Sequence, residues 1–118
     1  MKILVVDDDQ LTLKSIEHLL KEEGFDVLLA ENASAALRIL NDEKIDLIIS
    51  DIMMPNVSGL GLLSMLKNFY LDKIPVILIS SLNKDEIKAN SLGLGAAYFL
   101  SKPVDLNELL SCVKNAVA

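Results

Sequence analysis

The stretch Asp46-Leu47-Ile48-Ile49-Ser50-Asp51-Ile52-Met53-Met54-Pro55 opens with a short run of branched aliphatic residues and turns polar at Ser50 and Asp51. A strand with one face in water alternates apolar and polar residues. A strand covered on both faces is apolar throughout, as Leu47, Ile48 and Ile49 are. Four other runs read the same way: Ile3-Leu4-Val5-Val6, Asp26-Val27-Leu28-Leu29-Ala30, Val76-Ile77-Leu78-Ile79 and Tyr98-Phe99-Leu100. All five predict short strands of one sheet buried on both sides.

Helical stripes fill the intervals. Leu13, Ile16, Leu19 and Leu20 recur at three- and four-residue spacing, with Gly24 where a helix C-terminal glycine belongs. Ala33, Ala36, Leu37 and Leu40 follow Asn32 as N-cap, and Leu62, Leu63 and Leu66 follow Ser58-Gly59. A weaker stripe runs from Ile87 to Leu92 and closes at Gly93 or Gly95; Asp105 caps the last, made by Leu106, Leu109, Leu110, Val113 and Val117. The order βαβαβαβαβα implies a doubly wound α/β fold, a parallel sheet with helices on both faces. No linker, repeat or low-complexity segment divides the chain, so residues 1–118 read as one domain. The last helix ends with the chain, which suits either a small complete protein or a domain that an output module follows.

Composition narrows the class. Of 118 residues, 52% are apolar, enough for a core without a staple, and the single cysteine, Cys112, excludes a disulfide framework. The apolar start Ile3–Val6 is too short for a signal peptide, and no run approaches the ~18 residues of a membrane span. The expectation is a cytoplasmic protein without membrane contact. Eleven basic against 17 acidic residues give a net charge of −6, which disfavours direct nucleic-acid binding by this domain.

The polar residues fall at strand ends. The first strand ends in Asp7-Asp8-Asp9, the third in Ser50-Asp51, the fourth in Ser80-Ser81 and the fifth in Ser101-Lys102-Pro103. In a parallel sheet these C-terminal ends share one edge, where ligands bind. Two carboxylates ~4 Å apart repel by roughly 4 kcal/mol at an effective dielectric near 20, so the cluster needs counter-charge. Lys102 supplies one. A bound cation is the natural second, and donors that are all oxygen select a hard ion, Mg²⁺ first and Mn²⁺ as substitute. Carboxylates, metal, ammonium and hydroxyl together suit phosphoryl transfer. A carboxylate can be the nucleophile, and Asp51, on a central strand between the others, is the better candidate.

The residues Val5-Val6-Asp7-Asp8-Asp9, Ile49-Ser50-Asp51-Ile52-Met53-Met54-Pro55, Gly59, Pro75–Ser81 and Phe99-Leu100-Ser101-Lys102-Pro103 resemble the response-regulator receiver domains of two-component signalling, over the whole chain and in order. The resemblance implies a flavodoxin-like (βα)5 sheet of strand order 2-1-3-4-5. It implies Asp51 as phosphoacceptor, with Mg²⁺ held by Asp8, Asp51 and the backbone carbonyl of Met53, and with Asp7 holding the ion or its water. Ser80 and Lys102 would bind the phosphoryl group, Phe99 would be the aromatic switch, and Met53 and Ser81 would tune the lifetime of the phosphorylated form. The Lys102–Pro103 bond is expected to be cis. The partners implied are a histidine kinase or phosphotransfer protein and a downstream target or output domain. Signalling would pass through the fourth helix, fifth strand and fifth helix, roughly Asn83 to Ala118, a surface that also suits pairing with a second copy. Self-phosphorylation and self-dephosphorylation are then its only chemistry, and it is not an enzyme with an external substrate.

Asp9 reads as a helix-start acid, His18 as a surface residue and Cys112 as an inert helix residue. Three rivals share parts of the pattern. A haloacid-dehalogenase-type phosphatase would use Asp7 as nucleophile, but Leu11 stands where it has Thr or Val, and no acidic motif follows Lys102. A flavodoxin-like FMN carrier would not place three aspartates in its phosphate loop. A receiver used only for docking would lack part of the acid–lysine set.

Overall fold

The computed structural model describes residues 1–54, 57–68, 73–82 and 85–118. The elements are β1 (Lys2–Val6), α1 (Gln10–Glu22), β2 (Asp26–Ala30), α2 (Ala33–Asp42), β3 (Leu47–Asp51), α3 (Gly59–Asn68), β4 (Val76–Ser80), α4 (Asp85–Gly93), β5 (Tyr98–Ser101) and α5 (Leu106–Val117). All strands are parallel, in the order β2-β1-β3-β4-β5, the flavodoxin-like arrangement. Pro55 and Asn83, singled out in the sequence, lie outside the described residues.

Successive strand side chains point to opposite faces, so each interior strand feeds two cores. Leu4, Val6, Ile48 and Leu78 pack with Ala33 and Ala36 of α2 and with Leu62, Leu63 and Leu66 of α3. Ile3, Val5, Leu47, Ile49, Ile77 and Ile79 pack with Leu13, Ile16 and Leu20 of α1 and with Leu109 and Val113 of α5. This arithmetic requires the unbroken apolar runs of β1, β3 and β4, every residue of β3 and β4 being buried.

The edges differ from the expectation of strands covered on both sides. In β2, Val27, Leu28 and Leu29 are half-buried, as are Tyr98 and Phe99 in β5, because each has a neighbouring strand on one side alone. The stripe from Ile87 to Leu92 also does not bury as its spacing suggests. Leu92 is exposed, and the buried residue of α4 is Ser91, whose hydroxyl donates to the Ile87 carbonyl at 2.8 Å and so needs no outside partner.

Helix ends follow local chemistry. The Asn32 side chain accepts from the Ala35 amide at 2.8 Å, and that of Asp105 from the Asn107 and Glu108 amides at 2.9 and 3.1 Å. Gly24, just past α1, takes φ +89°, a left-handed conformation that other residues adopt at a cost.

Candidate functional site

Three strand ends bring the acids and the lysine together. Asp7 follows β1, and its amide donates to the Ala30 carbonyl at 3.0 Å, which keeps the chain in the sheet one residue beyond the strand. Its side chain is fully buried, and Oδ1 accepts from the Asp9 amide at 2.9 Å. Asp8 points to solvent. Asp51 is the last residue of β3 and 4% exposed, and its Oδ1 accepts from the Met53 amide at 3.3 Å. Lys102 follows β5, and its amide is fixed to the Ser80 carbonyl at 2.8 Å. Its ammonium donates to Asp51 Oδ2 at 3.3 Å and lies 3.0 Å from Asp7 Oδ2. The second contact is an ion pair without hydrogen-bond alignment, which leaves Asp7 Oδ2 buried and without a hydrogen bond.

One ammonium between two buried acids divides its effect unequally. Burial pushes the Asp7 carboxyl above its ordinary value, and the Asp9 amide and Lys102 do not bring it back. Burial works to lower the Lys102 pKa, but Asp7 and Asp51 outweigh it and the net direction is up. Lys102 thus gains from two acids, whereas Asp7 has a share of one cation.

Oxygens of Asp7, Asp8 and Asp51 all lie within 4.8 Å of one another. Two of these three carboxylates share one ammonium, all three offer oxygen, and a buried Asp7 oxygen lacks a hydrogen bond. This donor set fits a hard divalent cation. Met53, at the mouth, is 52% exposed.

Ser80 is fully buried at the end of β4, its Oγ accepting from the Leu82 amide at 3.0 Å; Ser81 is exposed. Ser81 joins Lys102, Pro103, Leu11 and Leu106 around a cleft of about 510 Å³ beside the acids. The Lys102–Pro103 peptide bond is cis. Phe99 stands apart from the acids: it pairs in register with Leu78, packs against the core on the α2–α3 face and borders a second cleft with Asp85 and Lys88. Asp9 is the N-cap of α1, accepting from the Leu11 amide at 3.1 Å and the Thr12 hydroxyl at 2.8 Å.

Two supports of Asp51 were not evident from the residues alone. The Ser50 hydroxyl donates to the Asp51 carbonyl at 3.0 Å. Gly59, the first residue of α3, donates its amide to the Ile52 carbonyl at 2.9 Å, and a Cβ there would overlap the Asp51 carbonyl oxygen. A glycine opening a helix after Asp51-Ile52-Met53-Met54 was the available signal for that close approach.

Residues 3–114 match the response regulator receiver domain family. The receiver domain of the Francisella response regulator 1452 superposes with a TM-score of 0.93 at 34% identity, over 98% of this chain and 95% of that one. The chemotaxis response regulator CheY4 of Vibrio cholerae does so with 0.89 at 27%, over 98% and 97%. The probable transcriptional regulator ycf29 of Pyropia yezoensis is 44% identical over 99% of this chain and 53% of its own length. The transcriptional regulatory protein CrdR of Helicobacter pylori is 34% identical over 96% of this chain and 53% of its own. The chain is a member of the response regulator receiver domain family of two-component signalling, which is not a family of catalytic enzymes. That membership displaces the phosphatase and flavin-carrier alternatives. The chain spans about half the length of the curated relatives it matches. Among the described residues, no helix is long and apolar enough to cross a membrane.

Proposed function

We propose that the chain accepts a phosphoryl group on Asp51 from a histidine kinase or a phosphotransfer protein, in a Mg²⁺-dependent reaction in the cytoplasm. The observation that carries this reading is the placement of Asp51: nearly buried, at the end of a central strand, with Lys102 on Oδ2 and Asp7 and Asp8 within ligand reach. Asp7, Asp8, Asp51 and the Met53 carbonyl would hold Mg²⁺, or Mn²⁺ in its place. When bound, the ion neutralises charge on the transferring group. The chain's residues do the rest. An Asp51 carboxylate oxygen forms the new P–O bond as the donor's bond to phosphorus breaks, giving an acyl phosphate. The Lys102 ammonium pairs with a phosphoryl oxygen, and the Ser80 hydroxyl turns from the Leu82 amide to hydrogen-bond another.

Movement of Ser80 frees space toward which Phe99 shifts, and the change reaches the surface formed by α4, β5 and α5. That surface would then alter its affinity for a target or output domain, or pair with a second copy. Phe99 has no hydroxyl, so the change is one of packing. Met53 and Ser81, both exposed, stand where a hydrolytic water approaches and set how long the phosphoryl group persists. Binding of nucleic acid belongs to other domains, this one carrying a charge of −6.

The test is intact mass after incubation with acetyl phosphate, with and without Mg²⁺, beside Asp51→Asn. The expected result is a gain of one phosphoryl group that requires Mg²⁺ and is absent from the variant. No gain by the folded native protein would turn the reading to a docking module. A gain that survives Asp51→Asn but not Asp7→Asn would move the nucleophile to β1.

A further inference from the structure

We infer that the Met53 thioether is an oxidation site at the mouth of the acid cluster, and that its conversion to the sulfoxide by a peroxide shortens the life of a phosphoryl group on Asp51. The inference rests on the reading of Asp51 as acceptor and of Met53 as a residue past which hydrolytic water approaches. The adjacent methionines Met53 and Met54 part company: Met54 is half-buried against the α2–α3 core, whereas Met53 is 52% exposed. The backbone at this point is held. Ile52 donates to the Ile79 carbonyl and accepts from the Gly59 amide, both at 2.9 Å, and the Met53 amide donates to Asp51 Oδ1 at 3.3 Å. A soluble oxidant can therefore reach the thioether, and the thioether stays beside the acceptor. The other sulfur atoms are worse placed. Met65 is half-buried, and Met1, though 56% exposed, lies at the opposite end of β1 from Asp7. Cys112 is half-buried, and burial pushes its thiol above the ordinary value, which keeps it protonated and slow to react.

In the step, a sulfur lone pair attacks one oxygen of hydrogen peroxide. The S–O bond forms as the O–O bond breaks, the departing oxygen leaves as water with both peroxide hydrogens, and the sulfur is oxidised by two electrons. The product changes what an approaching water meets. A thioether accepts hydrogen bonds weakly, whereas a sulfoxide oxygen carries partial negative charge and accepts them well. It can hold a water by one hydrogen and leave that water's oxygen turned toward phosphorus. Met53 belongs to neither apolar core, so oxidation adds this polarity without the packing damage that a sulfoxide causes inside a protein. The signal carried on Asp51 would then fade faster under peroxide, while the fold stands.

The experiment treats the native chain and Met53→Leu with hydrogen peroxide, removes the oxidant with catalase, and checks each protein for fold by circular dichroism. Peptide mass is expected to place added oxygen on Met53 and Met1 ahead of Met54 and Met65. Each protein, treated and untreated, is then phosphorylated with acetyl phosphate and Mg²⁺, freed of the donor, and followed by intact mass as the phosphoryl group is lost. The treated native chain is expected to lose it about fivefold faster than the untreated one, the scale of one hydrogen bond to the attacking water. Methionine sulfoxide reductase is expected to restore the slower rate. Met53→Leu is expected to decay at one rate with or without peroxide, which sets aside oxidation at Met1 and Cys112. Oxidation of Met54 ahead of Met53 overturns the inference. So does unchanged or slower decay in a native chain whose Met53 carries the oxygen, and so does equal acceleration in Met53→Leu. Each of these leaves Asp51 standing as acceptor if the untreated chain gains a phosphoryl group that Asp51→Asn does not. Failure of the untreated, folded native chain to gain one removes the acceptor and the inference together.

Discussion

Gly59 bears on the acceptor although it carries no side chain. A methyl group at that position would overlap the Asp51 carbonyl oxygen and lie 2.9 Å from Ile52 Cα, so the start of α3 would have to retreat from the peptide that positions Asp51. Gly59→Ala is expected to destabilise the fold by about 1–3 kcal/mol, the usual range for overpacking, measured as a shift of the urea midpoint. The same variant is expected to gain phosphoryl mass from acetyl phosphate more slowly, since the carboxylate shifts with its backbone. Legibility at this scale was uneven. Asp51, Ser80 and Lys102 could be located because each terminates an apolar run. The division of labour between Asp7 and Asp8 could not, because neighbours in a turn differ only in which way the chain twists. Here the Asp7 amide stays bonded to Ala30, and that bond turns the Asp7 side chain inward and the Asp8 side chain out.

Caps join sequence to element. Asp9 lies next to the site acids yet serves α1, its carboxylate held by the Thr12 hydroxyl and then the Leu11 amide, which lower its pKa below the ordinary value. A carboxyl whose folded pKa is depressed contributes stability that is present above the unfolded value near ~3.9 and is lost as pH falls through the folded value. Asp9→Ala is therefore expected to lower the metal-free melting temperature at pH 7, with the difference from the native chain shrinking as the solution is acidified below pH ~4. Equal differences at both pH values would remove the cap's charge from the account. The caps Asn32 and Asp105 and the Gly24 terminus were readable because their chemistry is local. The buried face of α4 was not, because it is decided by what the helix rests on. Its leucine at position 92 points to water, and a serine that satisfies its own hydroxyl points in.

The molecule as a whole is one sheet dividing two apolar cores, and the interior strands belong to both. Damage on either face should therefore melt the whole chain. Leu20→Ala on the α1–α5 side and Leu63→Ala on the α2–α3 side are each expected to cost about 2–5 kcal/mol. In both variants the far-ultraviolet and near-ultraviolet circular dichroism transitions should coincide. Separate transitions would mean that the faces unfold apart. The alternation of strands and helices carried the fold class, whereas the strand order came from the family resemblance, since periodicity does not say which strands are neighbours. That order has a consequence for synthesis. The strand made first, β1, ends up inside the sheet with its acids in place, and the strand made last, β5, is added at the outer edge and is followed by Lys102. On the ribosome the carboxylates must wait for their ammonium until nearly the entire domain has emerged. A nascent chain stopped before β5 would carry Asp51 without the Lys102 ammonium, so the sheet must be finished before the acceptor meets its basic partner.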